Sequence, residues 1–187
     1  FASGLRELGY TLLTTSGSGK ELAAADLPTV SIEQYTGQAE ILGGRVKTLH
    51  PRIHAGLLAD QSDAEHRAQL EAQGILPIEV AVVNLYPFSQ GLPDSWSDPR
   101  RMVELIDIGG PTMIRAAAKN FRSVFVVTDP DDYPRVLAAL GDRRASAEEL
   151  LKLRLELAVK VFEGMARYDL AIARYLGELG CREEEGG

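Results

Sequence analysis

Arg45, Lys47 and Thr48 put a guanidinium, an ammonium and a hydroxyl within four positions of "GRVKTLHP". In an extended backbone Arg45 and Lys47 face the same side. Arginine grips a planar anion bidentately, and lysine adds a compact, movable charge. A solvated basic loop also accounts for these residues, and for an isolated Arg-x-Lys it is the better account. His50 and His54 stand four apart, as on one helical face, but no "HExxH" pattern or carboxylate partner accompanies them. Packing and backbone hydrogen bonding suit them better than a metal. "TSGSG", Thr15 to Gly19, offers the hydroxyls of Thr15, Ser16 and Ser18 and the backbone around Gly17 to a phosphate at a helix start. An ordinary tight turn with Ser18 as N-cap is the equal alternative. In "VVNLYPF", Asn84 can read an amide or a ring edge, and Tyr86 carries a phenol that donates or accepts. "IDIGGPTMIRAAAKN" sets Asp107 before a glycine pair and Lys119 twelve residues further on. A straight helix between them separates them by about 15 Å. Spacing alone therefore favours a capping role for Asp107 and a helix-dipole role for Lys119.

These residues need a frame, and the apolar pattern supplies one. Phe1 to Leu8 has helical spacing, with Gly9 suited to a helix stop. "YTLLTT", Tyr10 to Thr15, reads as a strand, "SGSG" as the turn after it, "KELAAADL" as the next helix, and "PTVSI" as a second short strand. Asp63 to Gly74 reads as a helix, Val80 to Leu85 as a buried strand stopped by Pro87, and "DPRRMVELI" as a short helix with Pro99 in its first turn. Asp107 to Gly110 reads as a loop feeding a helix begun by Pro111. Ser123 to Thr128 is another buried strand, followed by a helix capped by Asp129 or Asp131. From Ser146 to about Leu179 the pattern is helical, with a break expected at Gly164. The final "CREEEGG" reads as a polar, disordered tail. Strands alternating with helices predict a parallel, doubly wound α/β sheet with a C-terminal helical pair beside it. In such sheets ligands bind beyond the carboxyl ends of the strands. The loops after Leu13, Leu85 and Val127, and those carrying Arg45 and Asp107, are thus the candidate site walls.

Composition narrows the class. With 187 residues, 45% hydrophobic and 25% charged, the chain can bury a substantial core as one globular domain. The single cysteine, Cys181, rules out a disulfide within one chain and suits a reducing cytoplasm. No apolar run approaches the ~20 residues of a membrane span, and no secretory pattern opens the sequence. The 27 acidic against 20 basic residues argue against a nucleic-acid binder, while a local positive cluster for a small anion stays compatible. The opening residues read as the middle of a helix without a cap, so the natural protein is expected to extend past one or both ends.

Together "GGRVKTLHP", "VVNLYPF" and "IDIGGPTMIRAAAKN" resemble the IMP cyclohydrolase domain of the bifunctional purine biosynthesis proteins, where it is joined to an AICAR transformylase. The likeness makes residues 1–180 the domain and 181–187 the tail. It implies a methylglyoxal-synthase-like fold: a parallel sheet flanked by helices. It implies ring closure of 5-formamidoimidazole-4-carboxamide ribotide to inosine monophosphate and water, with no metal or organic cofactor, in a cytoplasmic homodimer with no nucleic-acid or membrane partner. Carried over by position, it puts the 5′-phosphate on Thr15, Ser16, Gly17 and Ser18. The nucleotide then runs along Arg45, Val46, Lys47 and Thr48, with Lys47 catalytic, and the base meets Val83 and Asn84. Tyr86, Asp107 and Ile108 complete the site, and Lys119 becomes the proton donor and acceptor. The family's opening strand and "SVSDKTG"-like loop have no counterpart in this sequence. Ser16 stands where the family has a glycine, and Phe121 where it has a histidine. Two other readings share the fold. A regulatory ligand-binding module, like the allosteric domain of carbamoyl phosphate synthetase, needs a phosphate loop but not Lys47, Asp107 and Lys119 together. A methylglyoxal synthase needs catalytic carboxylates near its phosphate loop, and Thr11 to Lys20 contains no acid.

Overall fold

A computed structural model describes residues 1–85, 88 and 99–185, with side chains through residue 179 except at residue 99. The chain runs α1 (Ala2–Glu7), β1 (Leu13–Thr14), α2 (Ser16–Ala24), β2 (Val30–Ser31), α3 (Ile32–Thr36) and a 3-10 turn at Leu42–Gly44. There follow α4 (Pro51–Leu58), α5 (Ala64–Ala72), β3 (Val80–Val82), α6 (Pro99–Glu104) and α7 (Gly109–Lys119). The chain then forms β4 (Phe125–Val127), a 3-10 turn at Pro130–Asp132, α8 (Tyr133–Gly141) and α9 (Ala147–Glu185).

The named strands pair in parallel, as the alternating pattern predicts. Leu13 lies opposite Val30, and Val80, Ala81 and Val82 lie opposite Phe125, Val126 and Val127. Among the described residues these pairs form two separate two-stranded ladders, not one continuous doubly wound sheet. The strands are also shorter than their apolar runs. β3 stops at Val82, although the Val83 N–H still donates to the Val127 carbonyl at 3.0 Å. Beyond it, Val83 and Leu85 turn against Gly110.

β4 is buried along its whole length, as a strand covered on both faces must be. Ala116, Ala117 and Ala118 form a small-residue stretch of α7 inside the core. α9 lays Leu157, Ala158, Val161 and Met165, at helical spacing, into the same core. A second cluster joins Phe88, Met102 and Tyr175.

Helix boundaries also differ from the sequence expectation. α2 begins at Ser16, so "SGSG" is its first turn and not a turn before it. Glycine and serine are tolerated there because the first N–H groups of a helix have no intrahelical partner. α7 begins at Gly109, and Pro111 sits inside its first turn, where a missing N–H costs nothing. Gly164 does not break the C-terminal helix: one 39-residue helix, roughly 58 Å long, replaces the expected pair. A mid-helix glycine costs about 1 kcal/mol relative to alanine. Burying Val161 and Met165 on either side outweighs that, at about 1.5–3 kcal/mol each. The helix also continues to Glu185, through most of the segment expected to be a disordered tail.

Candidate active site

The segment from Glu40 to Thr48 is a tight hairpin. Ile41 and Val46 form an antiparallel bridge. Leu42, Gly43 and Gly44, at φ 56, 65 and 89, reverse the chain between them. The turn delivers Lys47 to the first turn of α2, where its Nζ meets Ser16 Oγ at 2.5 Å. The same ammonium pairs with the Glu40 carboxylate, and the Lys47 side chain is only 18% exposed. Next to it, Thr48 is buried at 5% exposure.

Thr48 joins this hairpin to the start of α7. A Cβ on Gly109 would lie 2.5 Å from Thr48 Oγ1, so only glycine allows this approach. A Cβ on Gly110 would lie 2.4 Å from Asp107 Oδ2 and 3.1 Å from Val83 Cγ1. The glycine pair is thus the contact plane between "RVKT", the end of β3 and Asp107. Asp107 is held at both its backbone and its side chain. Its Oδ1 accepts the Gly110 N–H at 3.1 Å, and its own N–H donates to Tyr168 Oη on α9 at 2.8 Å. Burial pushes the Tyr168 phenol above its ordinary value, so it stays neutral at physiological pH. Asn84, just past β3, donates from Nδ2 to Tyr133 Oη at 2.7 Å. Tyr133 in turn stacks on Phe1, with ring centroids 4.4 Å apart.

The structure therefore brings Ser16, Lys47, Thr48, Val83 and Asp107 to connected positions. Thr15 stands at the N-cap position of α2, with Gly17 and Ser18 exposed in its first turn. Val46 is used in the hairpin bridge. Arg45 points elsewhere: it pairs with Glu104 on α6, and its side chain is 65% exposed. Ile108 is exposed beside Asp107. Lys119 is not part of the group. It is exposed at the far end of α7 from Asp107, about 15 Å along the axis. Its neighbour Asn120 is the buried residue of that end, donating to the Leu57 and Ala59 carbonyls at 2.9 Å each. Tyr86 lies outside the described residues. His50 caps α4, its Nδ1 accepting from the Arg52 N–H at 3.1 Å.

Sequence reasoning missed Glu40, Tyr133 and Tyr168. For Glu40 a signal existed: with Ile41 opposite Val46, the next antiparallel pair is Glu40 opposite Lys47. Tyr168, 61 residues from Asp107, left no local trace. A cavity of about 530 Å³, lined by Tyr10, Glu79, Arg122, Ser123 and Arg154 among others, lies at the amino ends of β3 and β4 and includes none of the expected site residues. Burial there, helped by Glu79, pushes Tyr10 up to about 12. Among the described residues no group of three or more His, Cys, Asp or Glu side chains is placed to hold a metal.

Parallel strand pairs flanked by helices, with a glycine-lined edge, define a class, and comparison with known families agrees. Residues 1–112 match the MGS-like domain family, to which the chain belongs. Residues 117–186 match the family described as AICARFT/IMPCHase bienzyme. At closer range the chain is similar to the bifunctional purine biosynthesis protein PurH of Lactiplantibacillus plantarum, with 49% identity over 94% of this chain and 34% of that protein. PurH of Synechococcus sp. (strain CC9605) is 49% identical over 92% of this chain and 33% of its own length. PurH of Myxococcus xanthus is 48% identical over 94% and 34%. The chain thus spans about a third of the length of the curated relatives it matches. A crystal structure of ForH superposes with a TM-score of 0.82 at 35% identity, covering 94% of this chain and 90% of that one. Among the described residues no helix is long and apolar enough to cross a membrane.

Proposed function

We propose that the chain is an IMP cyclohydrolase, closing 5-formamidoimidazole-4-carboxamide ribotide to inosine monophosphate with loss of water. The observation that carries this reading is the double contact of the hairpin: Lys47 on Ser16 of α2, and Thr48 on Gly109 beside Asp107. An ammonium, a helix N-terminus and a carboxylate thereby surround one edge of the molecule. The similarity to PurH proteins supports the same reading.

The chemistry asks for orientation more than assembly, because both reacting groups sit on one ring. The carboxamide nitrogen bonds to the formyl carbon and gives up a proton. The formyl oxygen takes that proton and a second one from the formamido nitrogen, and leaves as water as the C=N bond forms. No carbon changes its oxidation state, so no redox cofactor is called for. The 5′-phosphate sits on Ser16, Gly17 and Ser18 at the start of α2. The Lys47 ammonium faces the formyl oxygen as charge develops on it. Asp107, with Oδ1 engaged by Gly110, offers Oδ2 to the carboxamide N–H₂. Asn84 faces the base, and Tyr86 holds the oxygen.

Lys119 stands at the far end of α7 from Asp107 and meets the substrate either from its own side of one site or from a second copy. The arrangement we favour is a homodimer in which Lys119 is supplied to the site of a second copy. The exposed stripe Leu155, Val159, Phe162 and Leu170 on α9 supports such a pairing. An AICAR transformylase on the same polypeptide and a cytoplasmic setting complete the reading.

The test is to add the formylated ribotide to the purified protein, without metal, and follow the ultraviolet change on ring closure. Turnover is expected, with Lys47→Ala lowering it about 10²–10³-fold. A protein that binds the ribotide and leaves it open would be a binding module, and the proposal would be wrong.

A further inference from the structure

We infer that Glu40 is the positioning residue for Lys47, fixing the ammonium so that one N–H remains for the substrate. The inference rests on the cyclohydrolase reading and deepens it.

A lysine ammonium has three N–H donors on a flexible four-carbon stem. Left to itself it samples many rotamers and aims nowhere. Here one donor is directed at Ser16 Oγ, at 2.5 Å, and another at the Glu40 carboxylate. With two of the three donors so directed, one is left for a substrate. The arrangement is built into the backbone, because Glu40 and Lys47 are the cross-strand pair next to Ile41 and Val46. To make that pair the chain accepts a left-handed conformation at Leu42, φ 56, which a leucine rarely adopts. Leu42 is itself 70% exposed, so packing of its own side chain does not explain the turn. Strain of this kind persists where the surroundings need the geometry. What the turn achieves is the meeting of Glu40 with Lys47. Arg45, one residue before Val46, is engaged by Glu104 and does not compete for Glu40.

The experiment is a double-mutant cycle on this chain, with ring closure as the readout. Glu40→Gln keeps the shape and removes the charge. It is expected to lower kcat about ten- to a hundredfold with KM changed less than about twofold, since misaiming a catalytic group is felt in the chemical step. In the Lys47→Ala background the same substitution should add nothing. Glu40→Asp is carried through the same cycle, with melting temperatures measured alongside, so that a folding defect in one variant does not decide the result. An undiminished kcat for a folded Glu40→Gln overturns the inference and leaves the cyclohydrolase reading standing. So does an equal loss with and without Lys47. An unaltered chain that closes no ring overturns both.

Discussion

Residue by residue, the candidate site is a set of close approaches that two glycines permit. Gly110 leaves no room for a Cβ between Asp107 Oδ2, Leu85 and Val83. Asp107 cannot simply swing away, because Gly110 itself holds its other oxygen. Gly110→Ala should therefore displace the carboxylate and lower kcat for ring closure by at least about tenfold. The melting temperature is expected to fall as well, since Val83 Cγ1 is crowded at 3.1 Å. Steady-state kinetics with a melting curve would check both, and an alanine variant with unchanged kcat would take Asp107 out of the mechanism. Little of this was visible from spacing. Asp107 and Lys47 were singled out by resemblance to a family, because the contact that joins them runs through Thr48 and Gly109, far apart in sequence. The separation of Lys119 was legible: twelve helical residues span about 15 Å whatever surrounds them.

Among the elements, α9 holds the others in register. Its Tyr168 anchors Asp107, its Asp169 pairs with Arg115 of α7, and its Lys160 clamps the turn after β4. Lys160 Nζ lies 2.6 Å from Asp129 Oδ2 and 2.7 Å from Asp132 Oδ2. Those bonds raise the Lys160 value and, with the Asp131 N–H, hold the Asp129 carboxyl below its ordinary range. A depressed carboxyl stabilises the fold above its unfolded value and loses that contribution as pH falls through its folded one. Asp129→Asn should thus melt below the unaltered chain at pH 7, with the gap closing as pH drops below about 4. On the alkaline side the clamp should persist past the ordinary lysine value. Thermal melts across pH would show either pattern, and a gap independent of pH would remove the ion pair as its cause. Elements whose apolar runs were continuous, such as β4 and the helical part of α7, were legible in the sequence. The unbroken α9 was not, because the local penalty of Gly164 is offset by packing against β4 and α7 that no short window contains.

At the scale of the whole molecule, the separation of Lys119 from Asp107 makes a prediction about assembly. If Lys119 works in the site of a second copy, Lys47→Ala and Lys119→Ala chains, each inactive alone, should regain activity when mixed and allowed to exchange. Each mixed dimer then contains one site with both lysines intact and one with neither. Activity is expected to return at up to about a quarter of the unaltered level, because random exchange makes half the dimers mixed and each has one working site of two. No recovery, with exchange verified, would place both lysines in one chain or remove Lys119 from the reaction. Phe1 has a consequence of its own. Its ring lies flat on Tyr133, whose hydroxyl holds Asn84, so α1 is tied through two side chains to the residue meant to read the base. Phe1→Ala would bare one face of the tyrosine that holds Asn84, and a looser Asn84 is the expected result.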